Sequence, residues 1–304
     1  MRHPGRLAER ALLTFAPSSP IPPILLVRPP IVPTVARIDP PTDNPPPCSL
    51  WSRTTMSDTP NNSHRPDPLW LAGVVKAEPS APLIVPYMAY LVLLAFNDAF
   101  PTKLLPVAIV LHIILGFWAA MLFRRHWPSM GDWRFPVALV GGLAAAWLWV
   151  AGQHALDGTT IAGHDLGGRL PLYPGVPEPH DPRDDFGTGN LFWIYAVLKI
   201  TRACTIVPLV EELFWRGFIL RAFIRWRRPE EVPWGTFAWK AMIGSALLST
   251  IQHPDNWGVS IACWLLFNAM FYWTKSLKCL ILTHAITNLA LYSYVIRAAD
   301  WRFW

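Results

Sequence analysis

The stretch PLVEELFWRGFILR, residues 208–221, places two adjacent glutamates and an arginine inside an apolar segment. On an α-helix, Glu212 and Arg216 are four residues apart and share one face, with the acid first, which is the favourable order for an ion pair. Glu211 is rotated by about 100° from Glu212 and has no such local partner. Ionisable side chains within a membrane are costly unless they are paired or face water, so this stretch predicts a functional site.

The composition indicates that the surroundings of this stretch are lipid. The chain has 304 residues, of which 52% are apolar and 15% charged, and it contains 17 tryptophans and 32 prolines. Its net charge of +6 is carried by basic residues at segment ends, as in FRRHW and RWRRPEE. This distribution favours membrane orientation over nucleic-acid binding. The four cysteines are far apart in the sequence and lack metal-ligand spacing.

Two regions differ in their composition. Residues 1–79 are rich in proline and polar residues and are predicted to be disordered. The ordinary polar start at Met56 suggests that residues 1–55 are a start-site misassignment. Residues 80–304 contain eight apolar blocks of a length suited to a bilayer about 30 Å thick. We therefore predict an all-α, polytopic integral membrane protein with seven or eight transmembrane helices.

Further polar residues follow within the apolar blocks. His253 stands at the end of one block, directly before a proline that should break the helix. His284 and Asn288 are four residues apart in LTHAITNLAL and therefore share a helix face. Two polar groups on one intramembrane face suggest a common target, although a helix–helix hydrogen bond is the alternative. His112 and Lys240 are isolated and are interpreted as structural.

Together these residues resemble the three ordered motifs of the CAAX prenyl protease and bacteriocin-processing (CPBP, or Abi) family of membrane-embedded proteases. The motifs are Glu-Glu-x-x-x-Arg, a histidine, and His-x-x-x-Asn, found here at Glu211, Glu212, Arg216, His253, His284 and Asn288. The second motif of the family is usually Phe-x-x-x-His, whereas this chain has Ser249 four residues before its histidine. The long N-terminal set of helices is similar to the bacterial, exosortase-associated branch related to CAAX proteases.

The resemblance implies an intramembrane endopeptidase. Peptide hydrolysis needs a base that activates water and donors that stabilise the tetrahedral oxyanion. We predict that Glu211 is this base, assisted by His253, and that His284 and Asn288 donate hydrogen bonds to the oxyanion. The Glu-Arg ion pair would hold the first helix in register. The expected partner is a membrane-anchored protein or peptide, cleaved near its C-terminus, in the bacterial inner membrane. Whether the substrate is prenylated in the manner of a CAAX tail is left open by the sequence.

Several alternatives remain open at the level of the sequence. Glu211, His253 and His284 would also suit a three-ligand zinc site with an open water position, as in a metalloprotease. Metal-free glutamate catalysis is the preferred interpretation. A non-catalytic immunity or protein-sorting interaction protein is a second function that similar motifs would fit. A proton-linked transporter is a third, but the sequence lacks the internal repeats expected of one.

Overall fold

Helices make up most of the computed structural model, which describes residues 67–173 and 179–304. In chain order the α-helices are α1 (Leu69–Ala77), α2 (Ala81–Ala95), α3 (Leu105–Leu122), α4 (Phe135–Leu156), α5 (Pro182–Phe186), α6 (Asn190–Cys204), α7 (Ile206–Glu212), α8 (Leu220–Ile224), α9 (Trp239–Gln252), α10 (Trp257–Thr274) and α11 (Leu277–Ala298). Strands β1 (Thr160–Ile161) and β2 (His164–Asp165) form a short antiparallel hairpin. The predicted all-α membrane class is confirmed.

Within the described residues, four helical segments are long and apolar enough to cross a membrane. They are Thr102–Leu122, Phe135–Leu156, Asn190–Ile224 and Leu277–Ala298. A fifth span results if α1 and α2, which meet at an angle of 106°, are counted as one broken crossing. The described residues therefore contain four or five candidate spans, compared with the seven or eight predicted.

The difference in helix number has two physical causes. The apolar blocks on either side of Glu211 were counted as separate helices, but they form one helical stretch of 35 residues. Helix α9 has only 14 residues, which is too short for a bilayer. Helix α10 has 18 residues but is also not among the segments that are both long and apolar enough to cross.

The N-terminal boundary also differs from the expectation. Helix α1 lies inside the region 1–79 for which disorder was predicted, so residue 80 does not mark the start of helical structure. Residues 1–66 fall outside the described part of the chain, and with them the predictions of disorder there and of a misassigned start at residues 1–55. The outward-facing side chains beyond this point suit lipid, since Trp118 and Trp147 are 62% and 71% exposed.

Close packing of α4 against α11 fixes the helix that carries His284 and Asn288. A Cβ atom on Gly142 would lie 2.7 Å from the side chain of Ile286 and 2.8 Å from the backbone oxygen of Thr283. The absence of a side chain at Gly142 therefore lets the two helix backbones approach. The hydroxyl of Thr287 donates a hydrogen bond of 3.2 Å across this contact to the carbonyl oxygen of Gly142.

The chain between α9 and α10 brings His253 to the same region. Helix α9 ends at Gln252, and His253 leaves the helical conformation with φ −123° and ψ 61° before Pro254. This break is the one predicted from the His-Pro sequence. Ser249, the residue that departs from the family motif, is fully buried and lies 3.5 Å from Ser260 of α10 at their hydroxyls.

Candidate active site

A cavity of about 370 Å³ lies among α6, α7, α10, α11 and the end of α9. Its wall contains all six residues singled out in the sequence: Glu211, Glu212, Arg216, His253, His284 and Asn288. These residues come from three separate regions of the sequence, and the fold brings them to one cavity. Their catalytic roles remain predictions.

Glu212 is the centre of a buried charged cluster. Its Oε1 atom accepts a hydrogen bond of 3.3 Å from Nη1 of Arg216, so the predicted ion pair is present. The same oxygen lies 3.0 Å from Nδ1 of His284. A carboxylate can only accept, so this ring nitrogen is the donor. The exposed fractions of Glu212 and Arg216 are 0% and 1%, and a pair this deeply buried depends on the presence of both partners.

Aromatic rings cover the guanidinium of Arg216. Its central carbon lies 5.2 Å from the ring centres of both Trp264 and Phe267 on α10. Phe267 also makes an edge contact with the imidazole of His284, with 5.6 Å between ring centroids. These contacts fix the cluster in place and separate it from lipid.

Glu211 is held by a residue that the sequence analysis missed. Nε2 of Gln252 donates a hydrogen bond of 2.7 Å to Oε1 of Glu211. The indole nitrogen of Trp215 donates one of 2.9 Å to Oε1 of Gln252. Because an indole N–H can only donate, it fixes the amide with its oxygen toward Trp215 and its nitrogen toward Glu211. Among the described residues, only Gln252 hydrogen-bonds to Glu211, so Oε2 of this carboxylate is left for the cavity.

His253 lies between two tryptophan rings. Its imidazole makes an edge contact with Trp149 and a tilted contact with Trp264, at centroid distances of 5.1 and 5.2 Å. Burial, with a smaller contribution from the nearby His284, lowers the pKa of His253 to about 4. The ring is therefore neutral near pH 7, which leaves it one donor and one acceptor nitrogen.

Asn288 takes part in a contact between helices. Its Nδ2 atom donates a hydrogen bond of 2.6 Å to the backbone oxygen of Ala203 near the end of α6. This is the helix–helix bond that the sequence analysis named as the alternative to a role at the oxyanion. The amide nitrogen carries a second hydrogen, so the two roles are compatible.

The three residues of the zinc alternative do not assemble into a metal site. Across residues 67–173 and 179–304, no group of three or more His, Cys, Asp and Glu side chains is placed to hold a metal ion. The residues present therefore do not fit the predicted zinc set.

Arg202 also lines the cavity and was not among the site residues predicted from the sequence. Its Nη1 atom donates to Nδ1 of His112 on α3, at 3.1 Å. His112 was interpreted as isolated and structural, but this contact connects it to the cavity wall. Lys240 donates to the backbone oxygen of Ile224, as suits a structural residue.

The fold and the site together define a helical membrane protein with a cavity lined by carboxylates and histidines. A family model described as type II CAAX prenyl endopeptidase Rce1-like matches residues 193–290, an interval that contains all six predicted site residues. The match confirms the resemblance to the CPBP family and supports a CAAX-type protease, without indicating the exosortase-associated branch. No curated protein and no solved structure matches the chain.

Proposed function

We propose that the chain is an intramembrane endopeptidase of CAAX type. It would hydrolyse a peptide bond near the C-terminus of a membrane-anchored protein or peptide, including prenylated, CAAX-like substrates, in the bacterial inner membrane. The observation that carries this proposal is the carboxylate of Glu211. It is 6% exposed and held at one oxygen, and it lines a cavity shared with His253 and His284.

The first step activates water. Oε2 of Glu211 takes a proton from a water molecule, and the resulting hydroxide forms a bond to the carbonyl carbon of the peptide. The π electron pair of the carbonyl moves to its oxygen, which becomes the oxyanion. The neutral ring of His253 orients the water through a hydrogen bond. The bond from Gln252 keeps the base aimed while the charge on its carboxylate changes.

The second step stabilises the oxyanion and releases the amine. Because Nδ1 of His284 is engaged by Glu212, the nitrogen available to the substrate is Nε2, which donates when the ring is protonated. The second amide hydrogen of Asn288 is the other proposed donor. The tetrahedral intermediate then collapses, the C–N bond breaks, and Glu211 returns its proton to the leaving nitrogen. This transfer restores the carboxylate of Glu211 and releases the leaving group as a neutral amine.

Cleavage by the protein purified in detergent tests the proposal. Prenylated and unprenylated membrane peptides are incubated with wild type, Glu211→Gln and His284→Ala, and products are identified by mass spectrometry. Loss of a general base should lower kcat by about 10²- to 10⁴-fold in Glu211→Gln. Glu230→Gln, at an exposed glutamate in the loop after α8, is the matched control and should cleave normally.

Three outcomes would count against this assignment. Equal cleavage by wild type, Glu211→Gln and His284→Ala would show that these residues are not catalytic. Activity that is removed by a chelator and restored by zinc would contradict the metal-free mechanism. Peptide binding without cleavage, together with full biological activity of Glu211→Ala, would favour the immunity or sorting protein instead.

A further inference from the structure

Arg202 is a cation on the cavity wall that lacks an acidic partner. It lies on α6 within the span Asn190–Ile224, and its guanidinium donates to the neutral acceptor Nδ1 of His112 at 3.1 Å. Among the described residues, no Asp or Glu side chain forms an ion pair with it. Because a charge within a membrane is costly when it is uncompensated, Arg202 is a candidate for binding an anion.

The other two arginines of the cavity are already neutralised. Arg216 pairs with Glu212, as described above. Arg302 pairs with Asp157 at 2.7 Å and with Asp300 at 3.3 Å. Arg202 thus differs from both in having its charge available to a ligand.

Lys199 lies one turn earlier on α6. Its Nζ atom lies 4.4 Å from the ring centre of Trp304, a residue of the cavity wall, and it too has no acidic partner within the described residues. Arg202 and Glu211 both line the cavity, and they do not form an ion pair with each other in the described part of the chain.

We propose that Arg202 binds the C-terminal carboxylate of the peptide substrate and is positioned by His112. This inference rests on the proposed function and makes the site one for substrates with a free C-terminus. Arg202 would act as a specificity-determining residue, and His112 as a positioning residue.

The hydrogen bonds of Arg202 favour a carboxylate as the ligand. His112 engages only Nη1, and the described residues make no hydrogen bond to Nε or Nη2. These two nitrogens form the edge of the guanidinium that matches a carboxylate with two parallel hydrogen bonds. A lipid phosphate offers similar oxygens, but it has no reason to lie in the cavity that contains Glu211.

The test compares one short apolar peptide in two forms, with a free C-terminal carboxylate and with a C-terminal amide. Affinity is measured by fluorescence anisotropy in detergent, and cleavage by mass spectrometry, for wild type, Arg202→Gln and Arg202→Lys. Wild type should favour the free acid by about 10- to 100-fold, the effect of a hydrogen-bonded charge pair. Arg202→Gln should bind both forms equally, and Arg202→Lys should be intermediate. Arg227→Gln, at an exposed arginine in the loop after α8, is the control and should keep the preference.

The binding measurement separates this inference from the proposed function. A preference for the free acid that Arg202→Gln abolishes would support the inference even if no peptide is cleaved. Equal binding of the two forms by wild type would overturn it, even if Glu211→Gln shows that the protein is a protease. Displacement of both peptide forms by vesicles of phosphatidylglycerol, lost in Arg202→Gln, would assign the site to a lipid headgroup and also overturn it. The wild-type comparison is decisive if Arg202→Gln fails to fold.

Discussion

The amide of Gln252 connects Trp215 to the proposed base Glu211 and allows a quantitative test of the site. We expect Gln252→Met, which keeps a side chain of similar volume but removes the donor, to lower kcat while changing KM little. A hydrogen bond to a charged group is worth about 1.5–3 kcal/mol, and about 1.4 kcal/mol corresponds to a tenfold change in rate. The bond of 2.7 Å to Glu211 therefore predicts a loss in kcat of about 10- to 100-fold.

Trp215→Phe should have a smaller effect of the same kind. Phenylalanine keeps part of the packing against Trp264, where the indole rings are 5.6 Å apart, but it cannot donate to Gln252. The amide then loses the contact that fixes its orientation, and it can turn its oxygen toward Glu211. Loss of a neutral hydrogen bond predicts a decrease in kcat of about 2- to 10-fold.

The assay measures kcat and KM on a membrane peptide, with thermal unfolding in detergent as the measure of folding. Gln153→Met is the matched control, because Gln153 also donates a short hydrogen bond, of 2.6 Å, but to the backbone oxygen of Gly167. It should lower stability and leave kcat near that of wild type. An unchanged kcat in Gln252→Met, or an equal loss in Gln153→Met, would refute the positioning of Glu211 by this amide.

Two further predictions concern the buried charges and the histidine at the end of α9. Arg216→Met leaves Glu212 without its cation and should destabilise the protein by about 3–5 kcal/mol. The double variant Arg216→Met with Glu212→Gln should lose less stability, because no buried charge is left without a partner. Unfolding in detergent measures both losses, and equal losses in the single and double variants would contradict this reasoning. Burial lowers the pKa of His253 from its ordinary 6.5 to about 4, so the unfolded chain binds this proton first as the pH falls. The free energy of unfolding is therefore highest above about pH 6.5 and falls as the pH is lowered toward 4. His253→Gln should make the free energy of unfolding less dependent on pH in this range, as measured by unfolding in detergent at several pH values. An unchanged pH dependence would argue against a neutral His253.

The sequence was most informative where local geometry decides the contact. The pairing of Glu212 with Arg216 follows from their separation of four residues, and the structure has this bond at 3.3 Å. The helix break at His253 follows from the proline after it. The all-α class and the membrane setting follow from composition and from the length of the apolar blocks.

The contacts that the sequence did not reveal are tertiary. The bond from Gln252 to Glu211 joins residues 41 positions apart, and the bond from Arg202 to His112 joins residues 90 positions apart. No periodicity connects such positions. The position of Gln252, directly before His253 at a predicted helix end, was the one available signal. The sequence predicted more spans than the four or five candidates in the structure. One reason is that the apolar blocks were divided at Glu211 and Glu212, whereas a single helical segment continues through this acidic pair.

The segment from Leu213 to Ile219, between α7 and α8, is a π-helix, in which the backbone N–H of Leu220 bonds to the carbonyl of Trp215 five residues earlier. A π-helix accommodates one residue more than the same length of regular α-helix. The added residue changes the directions of the side chains after it relative to those before it. Deleting one residue here would turn everything beyond it by about 100° relative to Glu211. Arg221, which now donates to Gly217 and lies 4.8 Å from the ring of Trp234, would leave that side of the helix. The single added residue therefore determines the direction of the Arg221 side chain relative to the side chains of Glu211 and Glu212.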